Sequence, residues 1–375
     1  MFLVPFLDLQ REYQAIRPEL EPVVERVLAS GKYILGEEVC VFERRWAEYC
    51  GVHHGTMVAS GTDALTLALE SSGVIRPGAG DEVITAAHGS PYTALAIIRA
   101  GARPVFADID PQTWLASPQT IERAITARTR AIVPVHLYGL ASDMAGIMAL
   151  ARNHQLLVIE DACQAHGARL KEGGTWRRVG CFGDASAFSF YPTKNLGCFG
   201  DAGFAATDDE AWMKRLRVLA QGGQAERNYA VSAGHNSRGD ELQAAILNCK
   251  LAHLDEWNER RRKLALLYKE RLRLPCLQWQ HVPDHAEPVY HLLVVRHPER
   301  NRLRAYLLGR GIETLIHYPE PVHLQPAFSS EGQAPLPEAE RAAAEVLSLP
   351  LHPCLSEAQV GAVAAAVNDF SVASA

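Results

Sequence analysis

A chain of 375 residues exceeds the usual size of one hydrophobic core and favours one large and one small domain. With 48% hydrophobic and 21% charged residues it has the composition of an ordinary soluble globular protein. A net charge of −6 argues against nucleic acid or an anionic membrane as the main partner, so an anionic ligand must be held by local donors.

The opening "MFLVPFLDLQREYQ" meets Pro5 and Asp8 and lacks a basic lead, so it does not read as a signal peptide. No run approaches a membrane span. The eight cysteines are scattered without a C-x-x-C pair, which fits reduced thiols and a cytoplasmic location. Neither His53-His54 nor the pair His281 and His285, with Pro283 between them, makes a metal site, and none is assigned.

In chain order, helical spacing appears in "ELEPVVERVLASG" and "EEVCVFERRWAEYCG". Short apolar strands follow: "HHGTMVAS", "DEVITAA", "RPVFADI", "RAIVPVH" and "LLVIED". Between them lie the helical segments "DALTLALESSG", "YTALAIIRAG", "SPQTIERAIT" and "DMAGIMALARNH". This alternation implies an α/β fold with a mostly parallel sheet covered on both faces and its ligand outside the carboxyl ends of the strands. "DELQAAILNCKLAHLDEWNERRRKLALLYKERLR" reads as one long helical spine into a second domain. Beyond it, "EPVYHLLVVRH" and "GIETLIHYP" read as strands, and "ERNRLRAYLLGRG", "PEAERAAAEVLSLP" and "SEAQVGAVAAAVNDF" as helices. The expected division is a large domain over 1–250 and a small C-terminal α+β domain over 251–375.

Four stretches carry chemistry. "ASGTDAL" is a glycine-containing turn into a helix, where backbone N–H groups and the hydroxyls of Ser60 and Thr62 suit a phosphate; an ordinary N-cap is the competing reading. "LLVIEDACQAHG" ends an apolar strand in Glu160-Asp161, and a carboxylate there asks for a cation; Asp161 suits a protonated ring nitrogen, or caps the next segment. "SFYPTKNLGCFGDAG" places Lys194 in apolar company after Ser189, which lowers an amine's pKa as a nucleophile needs, although a snorkelling stem explains it too. Gly197, Gly200 and Gly203 then mark a chain passing close to a ligand or to itself. "GHNSRGDELQAA" sets Asn236 and Arg238 just before a long helix, or is a solvated loop capped by Asp240. An anion cradle, a strand-end aspartate and a later lysine in one α/β domain are the parts that hold pyridoxal phosphate.

Together with "VPFLDLQREY", "VLASGKYILGEEVCVFE", "IHYPEPVHLQPAF" and "LSLPLHPCLS", these motifs span nearly the whole chain. It resembles the DegT/StrS-type family of pyridoxal-phosphate-dependent sugar aminotransferases, which share the aspartate aminotransferase-like fold. The resemblance implies that Lys194 carries the cofactor as a Schiff base, that Asp161 pairs with the pyridinium nitrogen and that Gln164 lies near the phenolic oxygen. It implies a phosphate cup of Ser60, Gly61, Thr62 and Ser189, completed by Asn236 of a neighbouring subunit, and hence a homodimer. Tyr318 and His323 would face the sugar. Apart from the resemblance, basic residues such as Arg227 and Arg238 are candidates for its diphosphate. Where the family usually sets an aromatic residue over the cofactor ring, this chain has Ser90, which leaves His88 or Tyr92 to cover the ring, His88 before Tyr92.

The implied reaction transfers an amino group from L-glutamate, through pyridoxamine phosphate, to a nucleotide-linked keto-deoxysugar. A dTDP-linked 3-keto-6-deoxyhexose is favoured slightly over a 4-keto sugar. Lys194 argues against the family's dehydratases, which carry histidine there. A nicotinamide-dependent dehydrogenase lacks its G-x-G-x-x-G after the first strand. An aminohydroxybenzoate-type synthase and a non-catalytic regulator remain as alternatives.

Overall fold

The computed structural model describes residues 3–329 and 334–370. Its centre is a seven-stranded sheet of β1 (His54–Val58), β2 (Glu82–Ala86), β3 (Arg103–Ala107), β4 (Thr129–Val133), β5 (Leu157–Asp161), β6 (Ala185–Ser189) and β7 (Gly203–Thr207). The spatial order is β1-β7-β6-β5-β4-β2-β3. β7 alone runs against its neighbours, β1 and β6. The other pairings are parallel, as the alternating pattern demanded.

Both faces are buried because successive strand residues point to opposite sides. Val83, Val133, Ile159 and Ala187 pack under α3 (Gly61–Ser71), α4 (Pro91–Arg99) and α7 (Glu210–Ala220). Ile84, Ile132, Val158 and Phe188 pack under α2 (Glu37–Cys50), α6 (Met144–His154) and α8 (Glu241–Leu251). A short α5 (Pro118–Glu122) occupies only the start of "SPQTIERAIT", because its chain turns away after one capping box.

The expected single spine breaks at Ala252-His253 into α8 and α9 (Leu254–Arg271). Beyond it a second core gathers α9, β8 (Leu293–Arg296), α10 (Arg300–Gly309), β9 (Val346–Leu349) and α12 (Glu357–Asn368). Val4 lies in this core, bridged to Ile312, so the first described residues cross over to it. "PEAERAAAEVLSLP" is not one helix: α11 (Pro337–Glu345) ends where Val346 enters β9. "GIETLIHYP" forms no strand. It makes isolated bridges only, Ile312 to Val4 and Leu315 to Ser348 of β9, and three residues past its end Val322 N–H donates to Ala87 O of the large unit at 2.8 Å.

The first helix, α1 (Leu9–Ser30), starts well before its sequence pattern does, since Asp8 caps it by accepting Arg11 N–H at 2.9 Å. It carries Glu12, whose carboxylate meets the buried ammonium of Lys250 at 2.6 Å. Lys250 also donates to Gly197 O at 2.7 Å, so α1, α8 and the turn after Lys194 share one cation.

Candidate active site

The carboxyl ends of β1, β2, β4, β5 and β6 open on one side of the sheet, and the residues that follow them converge there. After β1 the chain turns through Ser60 into α3. Ser60 Oγ caps the helix by accepting Asp63 N–H at 3.1 Å, which leaves its proton free to donate. The N–H groups of Gly61 and Thr62 have no acceptor among the described residues. A Cβ on Gly61 would lie 2.6 Å from Ser189 Cβ and 2.9 Å from Cys163 Sγ, so the helix start, the end of β6 and the segment after β5 meet at this glycine. Free N–H groups at a helix start with Ser189 alongside are a fitting cradle for a phosphate. Gly203 crosses behind it; a Cβ there would stand 2.1 Å from Ser60 O, so this glycine serves the chain's approach to itself.

The two acids that end β5 diverge. Glu160 turns inward to His136 Nε2 at 3.0 Å and the N–H groups of Gly180, Phe182 and Gly183. Asp161 turns to the cleft. Its Oδ2 accepts Thr93 Oγ1–H at 2.7 Å and its Oδ1 accepts Cys163 N–H at 3.2 Å, which fix the plane of the carboxylate. It does not cap a helix, because the residues after it form turns. Thr93 escaped the sequence reading; it lies in the first turn of α4, three residues after the capping Ser90, where α4 begins at the cleft.

Lys194 stands in a turn closed by Lys194 N–H to Tyr191 O at 2.9 Å. No carboxylate among the described residues comes within ion-pair distance of its Nζ. Burial pushes its amine below the usual lysine value, while Cys163 and Asp161 oppose the shift. Such an amine keeps a larger neutral fraction, as attack on an aldehyde requires.

A hydrogen-bonded ring of residues borders the site. Gln164 Oε1 accepts Tyr138 N–H at 2.9 Å, and its Nε2 donates to Tyr318 Oη at 3.0 Å. Burial raises the Tyr318 phenol to about 12, against hydrogen bonds to Gln164 and Ser90. Tyr138, held at φ 63°, gives its hydroxyl proton to His317 O and pairs with His88 Nε2 at 2.7 Å. A single hydroxyl proton serves the carbonyl, so His88 Nε2 is the N–H and its buried Nδ1 is an unmet acceptor. Burial, with Arg296 adding to it, lowers His88 to about 3, so the ring is neutral. Tyr138 and His317 were missed from the sequence; the left-handed φ of a tyrosine ahead of Gly139 carries no single-sequence signature.

Of the other expected site residues, one turns inward and two face outward. His323, expected to face the sugar, is 2% exposed and turned into the body between α11 and β3, with Nε2 3.3 Å from Glu340 Oε1 and its ring against Phe106. Asn236 and Arg238 are exposed and alternate with the buried Ser237 and Gly239, so both side chains point away from their own large unit. Ser237 Oγ locks this strap to the cradle, donating to Asp63 Oδ2 at 2.7 Å and accepting Ala59 N–H at 3.0 Å.

A model of the DegT/DnrJ/EryC1/StrS aminotransferase family matches residues 14–368. Over 371 residues the chain is 45% identical to dTDP-3-amino-3,4,6-trideoxy-alpha-D-glucose transaminase of Streptomyces venezuelae, covering 98% of this chain and 96% of that one. It is 44% identical over 372 residues to a pleiotropic regulatory protein of Geobacillus stearothermophilus, covering 98% of each. The crystal structure of S. venezuelae DesV in complex with a ketimine intermediate is similar at a TM-score of 0.92 and 46% identity over 97% of each chain. With a cradle, an oriented carboxylate and a desolvated lysine fitting the cofactor, the chain belongs to the DegT/DnrJ/EryC1/StrS aminotransferase family and is a pyridoxal-phosphate-dependent sugar aminotransferase.

Proposed function

We propose that the chain transfers an amino group from L-glutamate to a dTDP-linked keto-deoxysugar, a 3-keto-6-deoxyhexose before a 4-keto sugar. The observation that carries the reaction is a desolvated lysine without an ion-pair partner, set beside an oriented aspartate and an open anion cradle. The choice of sugar is supported by the Streptomyces relative, whose name specifies a dTDP-linked 3-amino sugar.

Bound pyridoxal phosphate supplies an electron-accepting ring that takes the pair left on the donor's α-carbon. With the cofactor bound, Lys194 Nζ would take the proton from that α-carbon and return it two atoms further on, at the cofactor's former aldehyde carbon, acting as base and then acid. Asp161, with Thr93 and the Cys163 N–H fixing its plane, holds a proton on the ring nitrogen. Gly61, Thr62, Ser60 and Ser189 hold the phosphate, and Gln164 and Tyr318 border the face where substrate enters.

The reading includes a homodimer. Tyr92, Leu95 and Ile98 form an exposed apolar stripe on α4, and Tyr191, Phe199 and Tyr229 are exposed as well. Pairing of two copies would cover such side chains and bring the outward Asn236 and Arg238 of one protomer to its partner's phosphate cup and substrate.

The test is an absorbance spectrum of the protein with pyridoxal phosphate, before and after L-glutamate, followed by a panel of dTDP keto sugars. A visible band that glutamate bleaches and that Lys194→Ala lacks supports the reading. A band indifferent to every amino donor points to a regulatory role, such as the name of the Geobacillus relative suggests.

A further inference from the structure

Lys194 lies in a turn after β6 and Asp161 ends β5, where a loop begins, and their spacing decides whether the amine meets the right atom of a ring held by the aspartate. One side chain on α9 spans the two loops. Asn258 accepts Asn195 Nδ2–H at its Oδ1 across 2.8 Å, and donates its own Nδ2–H to His166 O across 2.8 Å. Asn195 follows Lys194 directly, and His166 belongs to the segment running on from Asp161 through Gln164. Asn195 makes a second donation to Val289 O at 2.9 Å, and its Oδ1 faces His291 Nδ1 at 3.2 Å. Each Asn195 amide hydrogen and its carbonyl therefore has a partner, and Asn195, Asn258 and His291 are all buried. Burial first, then Lys194 and other cations, keeps His291 neutral, consistent with its Nδ1 carrying the proton given to Asn195.

We propose that the Asn195–Asn258 pair is a positioning device: it sets the separation of Lys194 from Asp161 by tying both loops to α9, and so to the C-terminal unit. The inference rests on the aminotransferase reading. It also explains why an asparagine, with two donors and an acceptor, follows the lysine. Aspartate would keep the acceptor and lose both donors, and leucine would strand Val289 O and Asn258 Oδ1.

The experiment compares two cofactor forms. Pyridoxamine phosphate has no aldehyde and reports the cradle and Asp161 without Lys194, whereas pyridoxal phosphate gains its aldimine band only by condensing with Lys194. In Asn195→Ala we expect pyridoxamine phosphate to bind as in the wild type while the band forms about 10- to 100-fold more slowly, the scale of a misplaced reacting group. Asn258→Ala should do the same, and the double variant should be no slower than the slower single one, since both remove one contact. Wild-type rates in the single variants, or equal losses for both cofactor forms, would overturn the proposal. If Asn195→Ala does not fold, Asn258→Ser gives the same two readings. A wild-type chain that forms no band at all sinks the aminotransferase reading, and the proposal with it.

Discussion

Thr93 donates its hydroxyl proton to Asp161 Oδ2 across 2.7 Å and so joins the first turn of α4 to the end of β5. A hydrogen bond to a buried carboxylate contributes about 1.5–3 kcal/mol. Thr93→Val keeps the shape and removes the donor, leaving the carboxylate free to rotate away from the ring nitrogen. We expect kcat/KM to fall by about tenfold or more, with the melting temperature lowered by about a few degrees and the fold retained. Unaltered kinetics would show that Cys163 N–H alone orients the aspartate.

At Gly61 a single methyl group decides the size of the phosphate cup. Gly61→Ala drives a Cβ to 2.6 Å from Ser189 Cβ, where neither neighbour is a flexible side-chain end. Either the start of α3 or the end of β6 must retreat, and both flank the cradle. Cofactor affinity, read by equilibrium titration with pyridoxal phosphate, should weaken by at least about tenfold, because one lost anion contact is of that order.

The outward Asn236 supports a mixing experiment. Asn236→Ala and Lys194→Ala are each expected to be inactive or nearly so as pure homodimers. Mixed in equal amounts after dissociation, half of the dimers are hybrids, and one of their two sites escapes both changes. Activity should then return to roughly a quarter of the wild-type value, as two-fold symmetry requires. No recovery would mean that Asn236 serves its own protomer.

Acid should unfold the protein earlier than its carboxylates alone predict. Burial lowers His88 and His166 to about 3, and His317 and His352 to about 4, from an ordinary value of 6.5. Above 6.5 these rings are neutral in both states and contribute no slope. As pH falls through that value the unfolded chain binds protons that the folded chain refuses, so stability declines by about 1.4 kcal/mol per pH unit for each ring. Urea melts at decreasing pH measure this. A stability that stays flat down to about pH 5 would contradict the assignment of neutral, buried imidazoles.

The residues that the sequence made legible are those whose chemistry is local to one strand end. Asp161 announces itself as a carboxylate ending an apolar strand, Gly61 as a glycine in a turn that opens a helix, and Lys194, with Ser189 before it, as an ammonium in apolar company. Thr93, Tyr138 and Asn258 could not be read that way. Each acts on a partner distant in sequence, and by itself each is an ordinary helical or loop residue. His323 misled because it shares a short motif with Tyr318; one 3-10 turn, Val322–Leu324, swings it into the body toward Glu340. The sheet was foreseen from its five leading strands, whereas β6 and β7 passed unnoticed: "ASAFS" and "GFAAT" are too short and too rich in alanine to display a period. At "GIETLIHYP" the backbone pairs only at Ile312 with Val4 and at Leu315 with Ser348, too few consecutive partners to make a strand.

The sharing of Lys250 between Glu12 and Gly197 O has a practical corollary for anyone trimming this chain. An N-terminal helix that touches no cofactor looks expendable, and a shortened chain beginning after Glu12 would retain every cleft residue. It would also leave an ammonium sealed inside the protein with a carbonyl oxygen and the rings of Phe199 and Trp257 for company. Relief comes from water entering beside Gly197 or from that turn giving way, and either event reaches Lys194 three residues upstream. Truncation at the front end is thus an indirect edit of the turn that carries Lys194.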